Sequence, residues 1–172
     1  GLSNTAMAQI TVGTGTSTTS TNPISSCYGY SYSEQIYLQS EIGAGGNITT
    51  VSFYMNTKPA TTASSEDWTI YMGHTTKADY TSTTDWITST GLTQVFTGTV
   101  SYPANGNWMT ITLTIPFAYN NTDNLVIAVD ENMAGYNCSV NWNYTSTSTN
   151  YRSIYYRSDA TNPNPTAPPT GT

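Results

Sequence analysis

The amino-acid sequence predicts an all-β fold: an antiparallel β-sandwich, jelly-roll-like, of about nine or ten strands. Three observations predict it. Met109, Ile111, Leu113 and Ile115 alternate with Thr110, Thr112 and Thr114, the period-2 signature of a strand with one wet face. Leu125 to Val129 is apolar at every position, rich in β-branched residues and too short for a helix, which marks a central strand covered on both faces. Clusters of Gly, Pro, Asn and Asp separate such segments, with no helical period and no internal repeat. At 172 residues the chain is long enough for one domain with a real core and short for two.

The elements follow in order. Ile10 to Val12 reads as a short first strand, and Gly13 to Ser26 as a Thr- and Ser-rich loop in which Pro23 bars regular pairing. Tyr28, Tyr30 and Tyr32 share a face with Glu34, Ile36 and Leu38, whose apolar end is expected to enter the core. After the turn at Gly43, Gly45 and Gly46, Val51, Phe53 and Met55 alternate with Ser52, Tyr54 and Asn56. Lys58 to Glu66 is a polar loop; Trp68, Ile70 and Met72 then point inward and Thr69 and Tyr71 outward. Gly73 to Thr93 is the longest connection, of a length usually functional or loosely ordered. Gln94 to Val100 is a strand leading through Pro103-Ala104-Asn105-Gly106 to Trp108. Asn120 to Asp123 is read as the turn of a hairpin at the middle of the sandwich, with the Met109 and Leu125 segments as its arms. Val140, Trp142 and Tyr144 alternate, and so do Tyr151, Ser153 and Tyr155. The sandwich is expected over residues 9–161, with 162–172 (NPNPTAPPTGT) as an extended Pro-rich linker.

Composition limits function. Only 8% of residues are charged, the net charge is −6, and the basic residues are Lys58, Lys77, Arg152 and Arg157. That argues against nucleic acid or an anionic membrane surface as a partner. Thr, Ser, Asn and Tyr form the surface instead, as suits secreted β-proteins, and 12% aromatics with alternating apolar runs can bury a core. The longest apolar runs are strand-sized, so no membrane insertion is expected. Residues 1–8 end in Ala6-Met7-Ala8, the small-x-small pattern of a signal-peptide cleavage site. They are expected to be a signal-peptide remnant, with the mature chain starting at Gln9; an ordinary polar leader is the alternative.

Several stretches carry a resemblance. ITVGTG (10–15), YGYSYSEQIYLQSE (28–41), WTIYMGHTTK (68–77), Asp85-Trp86, QVFTGTV (94–100) and DNLVIAVDEN (123–132) are similar to the N-terminal β-sandwich module of large secreted Bacteroidota surface proteins. The similarity runs over most of residues 9–161. The resemblance implies type IX-type secretion, an extracellular or cell-surface location and downstream domains in the same polypeptide. It implies no catalytic residues. Cys27 and Cys138 are the only cysteines. In a secreted chain a disulfide is expected between them; in a cytosolic one, two buried thiols.

No zinc set accompanies the single histidine, His74, and no GxSxG is present, so an enzyme is not expected. No cofactor is expected, except that Asp130 and Glu131, with Asn132, offer oxygen ligands for a structural calcium ion at a strand end; Asp79 and Asp85 could do the same from the long loop. Turn polarity explains the same residues. The function expected is a non-catalytic extracellular binding or adhesion module for carbohydrate or a cell-surface ligand, because sugar faces stack on aromatic rings while amides and carboxylates bind hydroxyls. Trp86, with Asp85 beside it, is the first candidate, with a plug over the end of the core as the equal alternative. Trp142 and Tyr144 follow, although inward core packing is the stronger reading for both; Trp68 and Trp108 are expected in the core. The alternatives are a structural spacer or self-associating fibre subunit, and an accessory domain of a secreted enzyme.

Overall fold

The computed structural model describes residues 8–62 and 64–172, so the expected signal-peptide remnant lies outside it except for Ala8. Nine strands are described: β1 (Ser17–Thr19), β2 (Tyr30–Tyr37), β3 (Gly46–Thr57), β4 (Asp67–Thr75), β5 (Thr93–Thr99), β6 (Asn107–Tyr119), β7 (Asn124–Glu131), β8 (Asn141–Tyr144) and β9 (Ser153–Ser158). A single helical turn, Gln39–Ile42, joins β2 to β3. The strands form two antiparallel sheets, β1-β8-β3-β6 and β5-β4-β7-β2-β9.

The pairing has a simple logic. β4 pairs with β5, β3 with β6, β2 with β7 and β1 with β8, as if one long hairpin had been wound into two layers. This is a jelly roll with β9 added outside β2. The β4–β5 connection is the hairpin apex. The expected hairpin between β6 and β7 does not form: these strands lie in different sheets, and residues 120–123 carry the chain across the sandwich. The turn chemistry is real. Asn120 Oδ1 accepts the N–H groups of Thr122 and Asp123, and Asn121 takes φ 53°.

Alternation sets the core. Phe53 and Met55 from β3, Met109, Ile111 and Leu113 from β6, Trp68, Ile70 and Met72 from β4, and Leu125, Ile127 and Val129 from β7 meet between the sheets. β7 is central as expected, with every residue from Leu125 to Glu131 buried. One expectation fails at β1, and the buried face of β2 enters a second core rather than the main one. Ile10 to Val12 has no strand partner; pairing with β8 starts at Ser17, opposite Tyr144. The Tyr32, Glu34 and Ile36 face lies opposite Asp130, Ala128 and Val126, on the outer side of its sheet. There Ile36 joins Tyr80, Ile154, Leu38 and Trp86 in a second, smaller core beneath residues 76–92. The serines of β2 face inward instead, where Ser33 Oγ donates to the Pro23 carbonyl at 2.5 Å and Ser31 Oγ accepts the Ser25 N–H. Their hydroxyls satisfy the backbone of the segment that closes this side of the core.

Cys27 and Cys138 form a disulfide across 111 residues, at the surface. Ser26 and Asn137 exchange two hydrogen bonds beside it, so the bridge joins loops already in register. Among the described residues no helix is long and apolar enough to cross a membrane. The disulfide is compatible with an extracellular location.

Candidate functional site

The two sheets differ in what covers their outer faces. The outer face of the five-stranded sheet lies under residues 76–92 and the C-terminal segment, whereas β3 and β6 present an open face. Phase decides what this face carries. Because Met109, Ile111 and Leu113 point inward, Trp108, Thr110 and Thr112 point outward; because Val51, Phe53 and Met55 point inward, Ser52 and Tyr54 point outward. Register places Thr50 opposite Thr112, Ser52 opposite Thr110, and Tyr54 opposite Trp108. Ser52 and Thr110 share a hydroxyl–hydroxyl bond of 2.8 Å.

The aromatic pair is held in place. The Tyr54 and Trp108 rings meet edge to face, with centroids 5.4 Å apart and planes at 83°. The Tyr54 hydroxyl donates to the Gly106 carbonyl at 2.9 Å. Gly106 has φ +71° and its N–H is shared between the Met55 and Asn56 carbonyls, so the 103–106 turn fixes the tyrosine that supports the tryptophan. Trp108 nevertheless keeps 45% of its surface exposed. No strand of this sheet contains a charged residue. The result is a neutral face with one exposed indole, its supporting phenol and rows of hydroxyls.

The residues singled out from sequence fall elsewhere. Trp142 is 1% exposed, a correction: it belongs to an aromatic cluster with Phe53, Trp68 and Tyr102, with centroids 6.1–6.4 Å apart. No ligand can stack on it there. Trp68 is in the core as expected, but Trp108 is not. Tyr144 is exposed at the end of β8. Trp86 is half-buried: its ring lies 5.3 Å from that of Tyr32, and its indole N–H donates to the Pro169 carbonyl at 2.8 Å. Asp85 is not free to meet a sugar hydroxyl; Lys77 pairs with it, and the Thr81 N–H and hydroxyl bond its other oxygen. The lysine and these bonds hold its carboxyl below the usual range.

The candidate calcium residues do not converge. Asp130 lies opposite Thr69 on the outer face of β7, and Glu131 lies opposite Trp68 on the inner face. Neighbours on a strand point apart, and β7 continues through both. Among the described residues no three His, Cys, Asp or Glu side chains gather as a metal site. Burial raises Asp130 to about 7 and Glu131 to about 8. His74 acts as a strut: its ring is stacked 5.8 Å from Tyr119, and its Nε2 accepts the Asn120 N–H at 3.1 Å.

The sequence places Glu34 on a strand face but carries no sign of its burial or its partners. Glu34 is fully buried between β2 and the long connection. One oxygen accepts the Tyr32 hydroxyl at 3.2 Å; the other accepts the Tyr80 hydroxyl and the Ile87 N–H, each at 3.0 Å. Desolvation dominates and raises it to about 7. Glu34 therefore anchors the segment that carries Trp86. Comparison of the chain with family models, curated proteins and solved structures returned no match.

Proposed function

We propose that this domain is a non-catalytic extracellular module that binds neutral carbohydrate through the outer face of β3 and β6. The observation that carries the reading is the exposed Trp108, braced by Tyr54, on a sheet without charged residues. A sugar ring presents an apolar face that stacks on an indole, and hydroxyls that exchange hydrogen bonds with Ser52, Thr110 and Thr112. A face without charge suits neutral polymers rather than uronates or sulfated glycans. The secreted-module resemblance and the disulfide support an extracellular setting, with further domains of the same polypeptide as neighbours. A glycan array with neutral and acidic polysaccharides at low and high salt tests this. Retention on neutral polymers, unchanged by salt, is the expected result; retention confined to acidic polymers and abolished by salt would overturn it.

One observation favours a second reading, a self-associating fibre subunit. β5 and β6 are edge strands of their two sheets and run side by side, with a cavity of about 290 Å³ between them lined by Phe96, Val100, Ile111 and Thr110. Open edges pair with other strands. Light scattering of the purified domain separates the readings: a monomer across the micromolar range rules out the fibre.

A further inference from the structure

The C-terminal segment does not simply leave the domain; it seats in a groove on the outer side of the five-stranded sheet. The Ser89 N–H donates to the Pro165 carbonyl, and the Trp86 indole N–H to the Pro169 carbonyl. The Gly171 N–H donates to the Thr83 carbonyl at 2.7 Å. Thr172 and Tyr155 exchange both backbone hydrogen bonds, at 2.8 and 3.1 Å, which adds the segment to the outer edge of β9. Gly171 occupies a slot with no room for a side chain: a Cβ there would lie 2.7 Å from Trp86 Cζ2, 2.9 Å from Ile154 Cγ1 and 2.9 Å from the Tyr155 carbonyl oxygen.

The walls of the groove also have contacts of their own, apart from those to the segment. Glu34 fixes Tyr80 and the backbone at Ile87, and Tyr32 backs the Trp86 ring. An aromatic wall that offers an N–H to a carbonyl of a Pro-rich strand, together with edge pairing, is a general mode of peptide recognition. The segment it holds carries no charge and is held mostly through backbone atoms, so covalent continuity with β9 is not what recognises it. The chain between them, residues 159–164, is exposed except at Pro163 and turns on Ser158 Oγ, which accepts the Ala160 and Thr161 N–H groups. Outside this turn it is tied to the domain by side-chain bonds from Asp159 to the Gly29 N–H and from Asn162 to Asn132. A swing of the segment about this turn leaves every strand pair intact.

We propose that the groove beneath Trp86 is a recognition site for an extended Pro-Pro-x-Gly strand, filled here by the chain's own residues 165–172, and that its external occupant is the same segment of a second copy. Exchange of the segment links copies head to tail, since groove and strand are different surfaces. This site is separate from the Trp108 face and stands or falls without it.

Two full-length variants test the exchange by complementation. Gly171→Leu keeps the groove and spoils the strand; Trp86→Ala keeps the strand and spoils the groove, with Trp86→Phe, which keeps an aromatic ring but loses the N–H and part of the wall, in reserve if the alanine variant unfolds. Each alone is expected to be monomeric by light scattering, and their mixture to form a one-to-one heterodimer. The Gly171→Leu chain is also expected to bind a synthetic peptide of residues 162–172, and the same peptide carrying Gly171→Ala at least about tenfold more weakly, the loss expected of a steric conflict above roughly 1.4 kcal/mol. A mixture that stays monomeric with both variants folded overturns the proposal. Unfolding of the Gly171→Leu chain also overturns it, since the segment would then be part of the core rather than a ligand.

Discussion

At the scale of single residues, Trp108 departs from its expected place in the core while Trp142 takes its core reading, and phase explains both. Trp108 stands next to Met109 in a strand whose odd positions are apolar, so it belongs to the threonine face. That signal was present in the sequence and was outweighed by the general tendency of tryptophan to be buried. Trp142 shares its phase with Val140, and both are in the core. Trp142→Ala should cost about 3–5 kcal/mol, as large-to-small changes in a packed core do. In a domain of this size that lowers the melting temperature by about 10 °C, measurable by scanning calorimetry. Glu34 was less legible. Its strand face was visible, but nothing local shows that residues 76–92 fold over it. Its pKa is raised from an ordinary 4.5 to about 7, so the folded state binds this proton more tightly than the unfolded chain does. The resulting stability is complete below about 4.5 and is lost as pH rises through 7. Asp130 and Glu131, raised to about 7 and about 8, add to the same slope. The melting temperature should therefore fall between about pH 5 and pH 8. Glu34→Gln should make that fall shallower: its carbonyl can face Tyr80 and Ile87 while its amide donates to the Tyr32 oxygen. An equally steep fall in this variant would show that Glu34 does not titrate in this range.

At the scale of elements, period-2 alternation located β3, β4 and β6, and a continuous apolar run located β7, because each has at least one face on the main core. It could not assign strands to sheets. The β6 and β7 segments look like a hairpin in sequence because a four-residue connection with turn chemistry joins them. The same connection serves a crossing between sheets, and only long-range pairing of β6 with β3 and of β7 with β4 and β2 decides. Ile10 to Val12 shows the converse error, since alternation over three residues does not make a strand without a partner edge. The disulfide was expected from the secreted reading and joins the loop before β2 to the loop before β8. Replacing both cysteines, Cys27→Ser with Cys138→Ser, should cost up to about 4–5 kcal/mol in the chain-entropy account. A melting temperature unchanged in the double variant would mean that the neighbouring Ser26–Asn137 hydrogen bonds suffice to hold these loops.

At the scale of the whole molecule, the fold class was legible and the site was not. A jelly roll needs only strands of the right phase and turns between them, which local chemistry writes into the chain. A candidate binding face depends on which outer surface remains uncovered, and residues 76–92 and 162–172 fold over one sheet and leave the other bare. The same covering turns Trp86 from a candidate ligand platform into the wall of a groove. The proposed carbohydrate binding therefore rests on Trp108. Affinity electrophoresis of the parent domain and Trp108→Ala, in gels containing the neutral polysaccharide that retains the parent, tests it most directly. Trp108→Ala should lose that retention while its melting temperature stays within about 2 °C of the parent, as for a surface substitution. Full retention by the variant would remove the β3–β6 face as the binding site.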